Sequence, residues 1–525
     1  MKVLNDYVYC IISIIMILGI IGSISVVMDL SQSTFAQSSP STTSPATTAS
    51  NDSLYEFELG YPATGDVIEL AFNNTDVNRA IEAYKFFYPT MVNEAMMQAI
   101  PQSNESNQVA VKLVARPEHQ IFTANSDTPY LFATLDLKTD GPVVIEVAPG
   151  RFMGFVNDHN MRWISDMGIY GPDKGQGGKH LILPPDYTGD VPAGYYLGQS
   201  DTWKVLFGIR SVPIDGNMTK ALESLDRIKI YPLADTKGEH VTPTYRLIDM
   251  TNTTLPNKLL EWEDNLDYWK QLKTVVDTET VPVQFRPMDG LLQSLGIEKA
   301  IPFDPDARTT AILDEAAKRA IAEMRVNAYA NRDSERLVWN DRNWEWLPIT
   351  PFNSTTRDMG VAEFLDVQAT EHAYFQAIGA SPLMSTREID HGSIYFSNFR
   401  DNNNEFLNGS KTYKLTVPGP VPANLFWSAT VYDVDTRSEI ATDQNRSAIR
   451  SLFENPQPNP DGSIDLYFGP EVPKGQENHW VKTIPDQGWF VYFRIYGPQA
   501  PAFDGTWKLN NIVESNYEVK DVSLN

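Results

Sequence analysis

The sequence predicts a mainly β protein with α insertions, in which two jelly-roll-like β-sandwich domains are joined by helices. Two stretches, residues 120–210 and 411–512, consist of short apolar runs separated by Gly, Pro and Asp, which is typical of sandwich strands and their turns. The stretch between them has helical spacing of its apolar residues. A chain of 525 residues is also too long for one ordinary domain, which favours two.

The N-terminal segment, residues 1–36, has the features of a signal peptide or a membrane anchor. Residues 11–28 are almost wholly apolar, and Thr34-Phe35-Ala36 places small residues where a signal peptidase cleaves. The apolar run is also just long enough to span a bilayer, so both alternatives stay open. Residues 37–54 are rich in Ser, Thr, Pro and Ala and predict a disordered linker. Either alternative places the folded part outside the cytoplasm, secreted or anchored to the cell membrane.

The composition limits the classes of partner. The formal net charge of −25 disfavours polyanions, so we expect no nucleic-acid partner and membrane contact only through the N-terminal segment. The only cysteine, Cys10, lies in the apolar segment, which excludes disulfides and thiolate zinc sites from the rest of the chain. In an exported chain, eight N-x-S/T sequons also predict glycosylation. The sequons begin at Asn51, Asn73, Asn104, Asn217, Asn252, Asn353, Asn408 and Asn445.

The N-terminal domain is predicted to span residues 55–250 and to begin with a helix. Helical spacing over residues 77–100 predicts this helix, and Pro89 predicts a kink or two short helices. A glycine-rich segment, residues 171–178, is not followed by a helical pattern and indicates a hairpin turn rather than a phosphate-binding loop. The predicted strands are residues 130–136, 143–147, 152–156, 180–183 and 203–209.

Residues 251–385 form a predicted helical connecting region, and residues 386–525 form the predicted C-terminal domain. The predicted helices are residues 259–278, 288–295, 309–328 and 357–378. The predicted strands are residues 412–417, 426–432, 464–468 and 489–496. Alternation along the last strand places Trp489, Val491, Phe493 and Ile495 on one face and Phe490, Tyr492, Arg494 and Tyr496 on the other.

Several of these segments resemble two families of unknown function that occur in this order on one chain. Residues 124–130 (Ala-Asn-Ser-Asp-Thr-Pro-Tyr) and 141–147 are similar to the DUF1254 domain. Residues 426–433, 489–498 and 504–507 are similar to the DUF1214 domain. The resemblance implies two jelly-roll β-domains with helices between them, in an exported protein, and it implies no established mechanism.

The first candidate cluster is Asn125, Asp127 and Tyr130. A polar turn that runs into an apolar strand can direct side-chain oxygens towards a ligand. The alternative is an Asx-turn, in which Asn and Asp bind their own backbone.

The second candidate cluster combines a carboxylate, an imidazole and a guanidinium within a few residues. We predict His159 as general base, Asp158 or Asp166 as the group that orients it, and Arg162 as the residue that holds an anion. The alternative is a surface loop with an ordinary salt bridge.

Three further residues are predicted to bind ligand. His391 complements the first cluster if the two domains face each other, although its neighbour Asp390 is also a common chance pairing. Tyr432 and Arg494 belong to aromatic strands that can stack on a planar ligand or a sugar. The alternative for both is packing between sheets or against helices.

These clusters support two classes of function. The first is a hydrolase or lyase that acts on a small molecule or glycan. The second is a non-catalytic protein that binds a ligand or carbohydrate or interacts with the cell envelope. The sequence assigns no cofactor and no metal, and it leaves a homo-oligomer open. It contains no G-x-S-x-G, P-loop, H-E-x-x-H or EF-hand motif that would narrow the choice.

Overall fold

A computed structural model describes residues 57–62, 65–100, 108–236, 244–255, 257–330, 332–348 and 350–517. The predicted signal or anchor segment and the predicted linker lie outside these residues. No helix within the described ranges has the length and apolar character needed to cross a membrane. The chain divides into a small unit, residues 1–67, and a main unit, residues 68–525. The small unit contains a hairpin of β1 (Phe57–Glu58) and β2 (Tyr61–Pro62).

Helix α1 (Gly65–Ala99) is longer than the sequence predicts and continues through Pro89. The prediction of two short helices is therefore wrong. Proline removes one backbone donor and disfavours a helix interior. Buried side chains on both sides of Pro89, among them Tyr84, Tyr88, Met91 and Val92, pack into the core and stabilise the helix across it.

The N-terminal sandwich consists of two sheets whose facing side chains form one hydrophobic core. The larger sheet has the order β12-β3-β4-β10-β6-β7, and the smaller has the order β11-β5-β8-β9. Leu131 and Val156 of the larger sheet meet Ile145 and Ile182 of the smaller one. The elements are β3 (Val109–Val114), β4 (Pro129–Asp136), α2 (Leu137–Asp140), β5 (Val143–Val147), β6 (Phe152–Asp158), β7 (Trp163–Gly168), β8 (Gly178–Leu183), β9 (Tyr196–Gln199), β10 (Lys204–Ser211), α3 (Met218–Ser224), β11 (Lys229–Pro232) and β12 (Arg246–Asp249).

The glycine-rich segment lies between β7 and β8, which belong to different sheets. It therefore connects the two sheets, and the prediction of a hairpin turn at this point is wrong. Gly177 has a positive φ of 74°, and a Cβ there would lie 2.5 Å from the carbonyl oxygen of Val147. The close approach of two backbones explains why glycine is needed at this crossing.

The connecting region contains five helices and three short strands. The helix predicted over residues 357–378 is shorter in the structure. Residues 352–359 form a hairpin, and the helix begins only at Val367. Asp366 caps the helix by accepting a hydrogen bond from the backbone N–H of Ala369. The elements are α4 (Leu259–Trp262), α5 (Asp267–Thr278), α6 (Arg286–Ser294), α7 (Ala307–Tyr329), β13 (Glu345–Leu347), β14 (Phe352–Asn353), β15 (Asp358–Met359) and α8 (Val367–Gln376).

The C-terminal sandwich also has two sheets, of orders β13-β16-β22-β18-β19 and β21-β20-β17-β23. Phe396, Trp427 and Phe493 of the first sheet pack with Leu415 and Phe468 of the second. The strands are β16 (Ser393–Asn398), β17 (Tyr413–Val417), β18 (Ala423–Asp433), β19 (Ala448–Arg450), β20 (Ile464–Gly469), β21 (Trp480–Lys482), β22 (Trp489–Pro498) and β23 (Val513–Glu514). The predicted class, mainly β with α insertions, is confirmed. Jelly-roll connectivity and the three domain boundaries stay predictions.

A third hydrophobic core lies between the two sandwiches. Helices α1, α5 and α7 contribute to it, together with the outer faces of the six-stranded and five-stranded sheets. Tyr130 and Phe132 come from the first of these sheets, and Tyr432 and Tyr492 come from the second. Residues from both halves of the chain therefore meet in one layer, which we call the shared layer.

Candidate functional site

A small cavity in the shared layer has a polar end and an apolar end. Its volume is about 70 Å³, which is enough for a few water molecules or a small ligand. The polar end is formed by Asn125, Tyr130, Arg210, Tyr395 and Arg494, together with Thr123 and Tyr492. The apolar end is formed by Phe132, Phe155, Leu347, Ala377, Ile378 and Met384. An apolar pocket with a few convergent polar groups is typical of a ligand site.

Alternation along β10 directs Arg210 into this cavity. Phe207 and Ile209 face the core of the N-terminal sandwich, and so Arg210 lies on the opposite face of the strand. Arg210 pairs across the sheet with Tyr130 of β4. Gly208 lies on the same face as Arg210, and a Cβ there would be 2.7 Å from the ring of Phe155. Glycine at this position thus lets Phe155 form part of the cavity wall.

Alternation along β22 directs Arg494 to the cavity from the other side. The predicted division of this strand is confirmed, because Trp489, Val491, Phe493 and Ile495 lie in the core of the C-terminal sandwich. Phe490 and Tyr492 lie in the shared layer. Arg494 pairs across the sheet with Tyr395 of β16 and Ser428 of β18.

The two cavity arginines are buried without a carboxylate partner. Arg494 is 2% exposed and Arg210 is 7% exposed. Nη2 of Arg494 donates to the carbonyl oxygen of Thr123 at 2.7 Å, while Nε and Nη1 have no hydrogen-bond partner among the described residues. Among the residues that the structure describes, no carboxylate oxygen lies within 4.0 Å of either guanidinium. Since a guanidinium stays protonated in proteins and a buried charge is costly unless it is paired, this cavity favours an anion.

Tyrosines lie around the two arginines, and Tyr130 among them lines the cavity. Burial raises the pKa of Tyr130, Tyr432 and Tyr496 above the ordinary value. Their hydroxyl groups therefore stay neutral at physiological pH. No phenolate therefore neutralises the charges of Arg210 and Arg494. The Arg494 guanidinium contacts an aromatic ring instead, at 5.5 Å from the ring centre of Tyr432.

Both interpretations of the first cluster describe part of its geometry. Asn125 Oδ1 accepts a hydrogen bond from the backbone N–H of Asp127 at 3.1 Å, which is the Asx-turn. Asn125 Nδ2 donates to the Tyr130 hydroxyl at 2.7 Å, at the cavity. Asp127 is fully buried, and its Oδ2 accepts hydrogen bonds from Ser428 at 2.6 Å and Tyr496 at 3.2 Å. Asp127 thus connects the N-terminal half of the chain to the C-terminal sheet.

Tyr432 helps to hold the segment that precedes the cavity. Its hydroxyl donates to the carbonyl oxygen of Ala124 at 2.8 Å, and the backbone N–H of Thr123 donates to the carbonyl of Arg437 at 2.8 Å. The sequence separation of these partners is about 300 residues. The structure therefore brings together the predicted residues Asn125, Asp127, Tyr130, Tyr432 and Arg494.

His159 lies elsewhere, and its geometry corrects the predicted role as general base. Its side chain is 0% exposed, with Nε2 3.0 Å from Glu94 Oε2 and Nδ1 3.0 Å from Glu279 Oε1. Burial lowers the pKa of His159, but the hydrogen bond to Glu279 and the ion pair with Glu94 outweigh burial and raise it to about 9. Both ring nitrogens therefore carry protons at neutral pH and neither can accept one. We call these three residues the buried ion triad.

The other predicted catalytic residues are also engaged in structural contacts. Asp158 Oδ1 accepts from the backbone N–H of Asn160 and of Arg162, each at 2.9 Å, which closes the turn after β6. Arg162 pairs with Asp201 and with Asp358, the latter at 3.0 Å, so its charge is already balanced. The alternative of a surface loop is wrong as well, because Asp158 and His159 are fully buried.

Asp166 and His391 do not line the cavity. Asp166 lies on β7, and burial raises its pKa to about 7. His391 is 40% exposed at the turn before β16, with its ring centre 5.4 Å from that of Tyr170. The prediction that His391 complements the first cluster is therefore not met by this structure.

Arg210 is not among the residues that the sequence patterns predict for the site. The available signal was one arginine directly after the apolar run of residues 205–209, on the face opposite Phe207 and Ile209. An arginine in that position is unusual for a strand that is buried on both faces.

The fold and cavity define a class of protein with two β-sandwiches and an anion-favouring cavity in the layer between them. Family models match the chain in two places, and both are described as a protein of unknown function. DUF1254 matches residues 106–232, and DUF1214 matches residues 392–500. The chain therefore contains a DUF1254 region followed by a DUF1214 region, as its sequence motifs predict. The cavity takes Arg210 from the first region and Arg494 from the second.

Two solved structures are similar to this chain. The VPA0106 protein from Vibrio parahaemolyticus is 18% identical with a TM-score of 0.52, and the match covers 84% of this chain and 100% of that one. An uncharacterized protein from Burkholderia cenocepacia is 12% identical with a TM-score of 0.39, covering 85% and 96%. Only the first similarity is strong enough to support the fold. Comparison with curated proteins finds no match.

Proposed function

We propose that this protein binds a small monovalent carboxylate in the cavity between its two sandwiches. The observation that carries the proposal is the pair Arg210 and Arg494, which are buried, line one cavity and have no carboxylate within 4.0 Å among the described residues. Arginine donors arranged around a cavity recognise carboxylate oxygens through charge-assisted hydrogen bonds.

The charges around the cavity favour one negative charge on the ligand. Arg210 and Arg494 supply two positive charges, and Asp127, which accepts hydrogen bonds from Ser428 and Tyr496, lies behind them. Glu439 is also buried near Arg494, and burial raises its pKa to about 7, so a ligand with one carboxylate is favoured over a dianion. The cavity volume of about 70 Å³ also favours a small group over a sugar ring with several hydroxyls.

Binding is better supported than the predicted hydrolase or lyase activity. That activity depended on His159, whose two ring nitrogens both face carboxylates away from the cavity. The predicted non-catalytic ligand-binding protein depended in part on the aromatic strands, whose residues Tyr432 and Arg494 face the shared layer. We place this binding outside the cytoplasm, on the basis of the apolar N-terminal segment.

Titration calorimetry with acetate at constant sodium chloride tests the proposal, with acetamide as the neutral analogue. We expect saturable heat with acetate and none with acetamide. Arg494→Met removes charge-assisted hydrogen bonds worth about 1.5–3 kcal/mol, so acetate affinity should fall about 10- to 100-fold. Arg319→Met removes an arginine from the exposed face of α7 and should leave the affinity unchanged.

The variants should fold, because methionine replaces a buried guanidinium that has no carboxylate within 4.0 Å among the described residues. The melting temperature of each variant verifies this, and Arg210→Met provides a second test from the other sandwich. Equal affinity for acetate and acetamide, or full affinity in folded Arg494→Met and Arg210→Met, would refute the proposal.

A further inference from the structure

The carboxylate cavity is one of three neighbouring cavities that are linked by shared lining residues. A second cavity of about 40 Å³ shares Leu347, Ala377, Met384 and Tyr395 with it, so these four side chains lie between the two spaces. The lining of the second cavity is almost wholly apolar, and Ala373 and Met359 extend it away from the arginines.

The third cavity extends this row to the surface. Its volume is about 270 Å³, and it shares Met359 and Tyr374 with the second cavity. Phe86, Phe285 and Leu365 are among its apolar residues. At its outer rim Phe364 is 62% exposed and Val361 is 41% exposed. Exposed apolar side chains beside an apolar cavity often mark the place where an apolar ligand enters.

Charges differ between the two ends of the row. The inner end contains Arg210 and Arg494, whereas the outer cavity has Glu363 exposed at its rim, and its other carboxylate, Asp358, is paired with Arg162. A carboxylate is repelled at the outer end and attracted at the inner end. An apolar chain fits the space between them, because the second cavity has no charged side chain in its lining.

We infer that the ligand is a carboxylate with a linear alkyl chain, whose head lies between Arg210 and Arg494 and whose chain extends past Met384 towards Phe364. This inference rests on the proposed carboxylate site and specifies the class of molecule that it takes. A linear chain is favoured over a ring because the second cavity is narrow and the three spaces follow one another. Met384 is unbranched and partly exposed, so a rotation of its side chain can join the inner two cavities.

Calorimetry with acetate, butyrate, hexanoate and octanoate tests the inference on the full-length chain. Each buried methylene should tighten binding about fourfold, since burial of one CH₂ contributes about 0.8 kcal/mol. The matched alcohol, octan-1-ol, carries the same chain without the charge and should bind at least tenfold more weakly than octanoate.

A constriction of the row gives a second readout. Ala373→Leu fills part of the second cavity, which Ala373 lines while it does not line the carboxylate cavity, so acetate should bind as before while the gain with chain length disappears. If Ala373→Leu does not fold, Met359→Phe narrows the row further out, because Met359 lines the second and third cavities but not the carboxylate cavity. Val326→Leu adds a methylene on the exposed face of α7 and is the control.

The results distinguish this inference from the proposal beneath it. Acetate that binds with the same affinity as octanoate overturns the alkyl chain and leaves the carboxylate site intact. Binding of octanoate whose length dependence survives both constricting variants also overturns it. Failure of every carboxylate to bind removes the site itself.

Discussion

The buried ion triad predicts a loss of stability as the pH rises. His159, Glu94 and Glu279 connect the turn after β6 to α1 and to the end of α5. Raising the pH from 6 to 10 deprotonates the imidazole and leaves two buried carboxylates without their cation. The unfolded chain does not share this contact, so His159 titrates there near its ordinary pKa of 6.5.

The pKa of His159 fixes the size and the pH range of the effect. The folded pKa of about 9 exceeds 6.5, so the stabilisation is fully present below pH 6.5 and is lost as the pH rises through 9. This difference in the pKa of His159 between the folded and unfolded chain, at about 1.4 kcal/mol per pKa unit, corresponds to about 3 kcal/mol.

At the acidic side, the pKa of Glu94 is about 2, because its interaction with His159 outweighs its burial. The same contact is therefore stable above pH 4.5 and is lost as the pH falls through 2.

Urea denaturation of the wild type and of His159→Gln, repeated between pH 5 and pH 10, measures this effect. The difference in unfolding free energy between the two proteins isolates His159 from other groups that titrate in this range. We expect the advantage of the wild type to fall by about 3 kcal/mol between pH 6.5 and pH 9 and then to level off. A difference that is constant with pH, or that grows as the pH rises, would refute the assignment of a charged imidazole.

Three further substitutions test the packing and the buried charges, each by urea denaturation. Gly208→Ala places a Cβ 2.7 Å from the ring of Phe155 and should cost about 1–3 kcal/mol; an unchanged stability would contradict the close approach. Arg437→Met leaves Glu263 buried without its bidentate partner at 2.8 Å and should cost about 3–5 kcal/mol, whereas adding Glu263→Gln should recover most of the loss. His372→Leu replaces a fully buried ring that has no hydrogen-bond partner among the described residues. Because burial keeps the folded pKa of His372 well below 6.5, the gain of about 1–3 kcal/mol should grow as the pH falls below 6.5.

The strands and half of the site follow from local patterns in the sequence. Alternation over residues 489–496 assigns Arg494 and Tyr492 to one face, and this is the face that borders the cavity. The turn over residues 124–130 supplies Asn125 and Tyr130 for the same reason, because a polar turn is followed by a strand with a defined pleat. Local periodicity is sufficient to place a residue at the site when the pleat of its own strand decides which face it lies on.

The remaining features depend on contacts between distant parts of the chain. The turn at His159 has the polarity of a surface loop, but α1 and α5 cover it, and Glu279 is 120 residues away in the sequence. Periodicity does not show which outer sheet face is covered by another layer, and so Arg210 was not distinguished from an exposed strand end. Pro89 lies inside a helix for a similar reason, since buried neighbours outweigh its local preference.

A crystal structure of the protein with 4-bromobutyrate tests the carboxylate cavity most directly. The bromine identifies the chain by its anomalous signal, and the carboxylate is expected within hydrogen-bonding distance of both Arg210 and Arg494. We expect the bromine on the side of Met384, away from the two guanidiniums. A bromine signal outside the row of cavities, or a carboxylate that contacts neither arginine, would contradict the account.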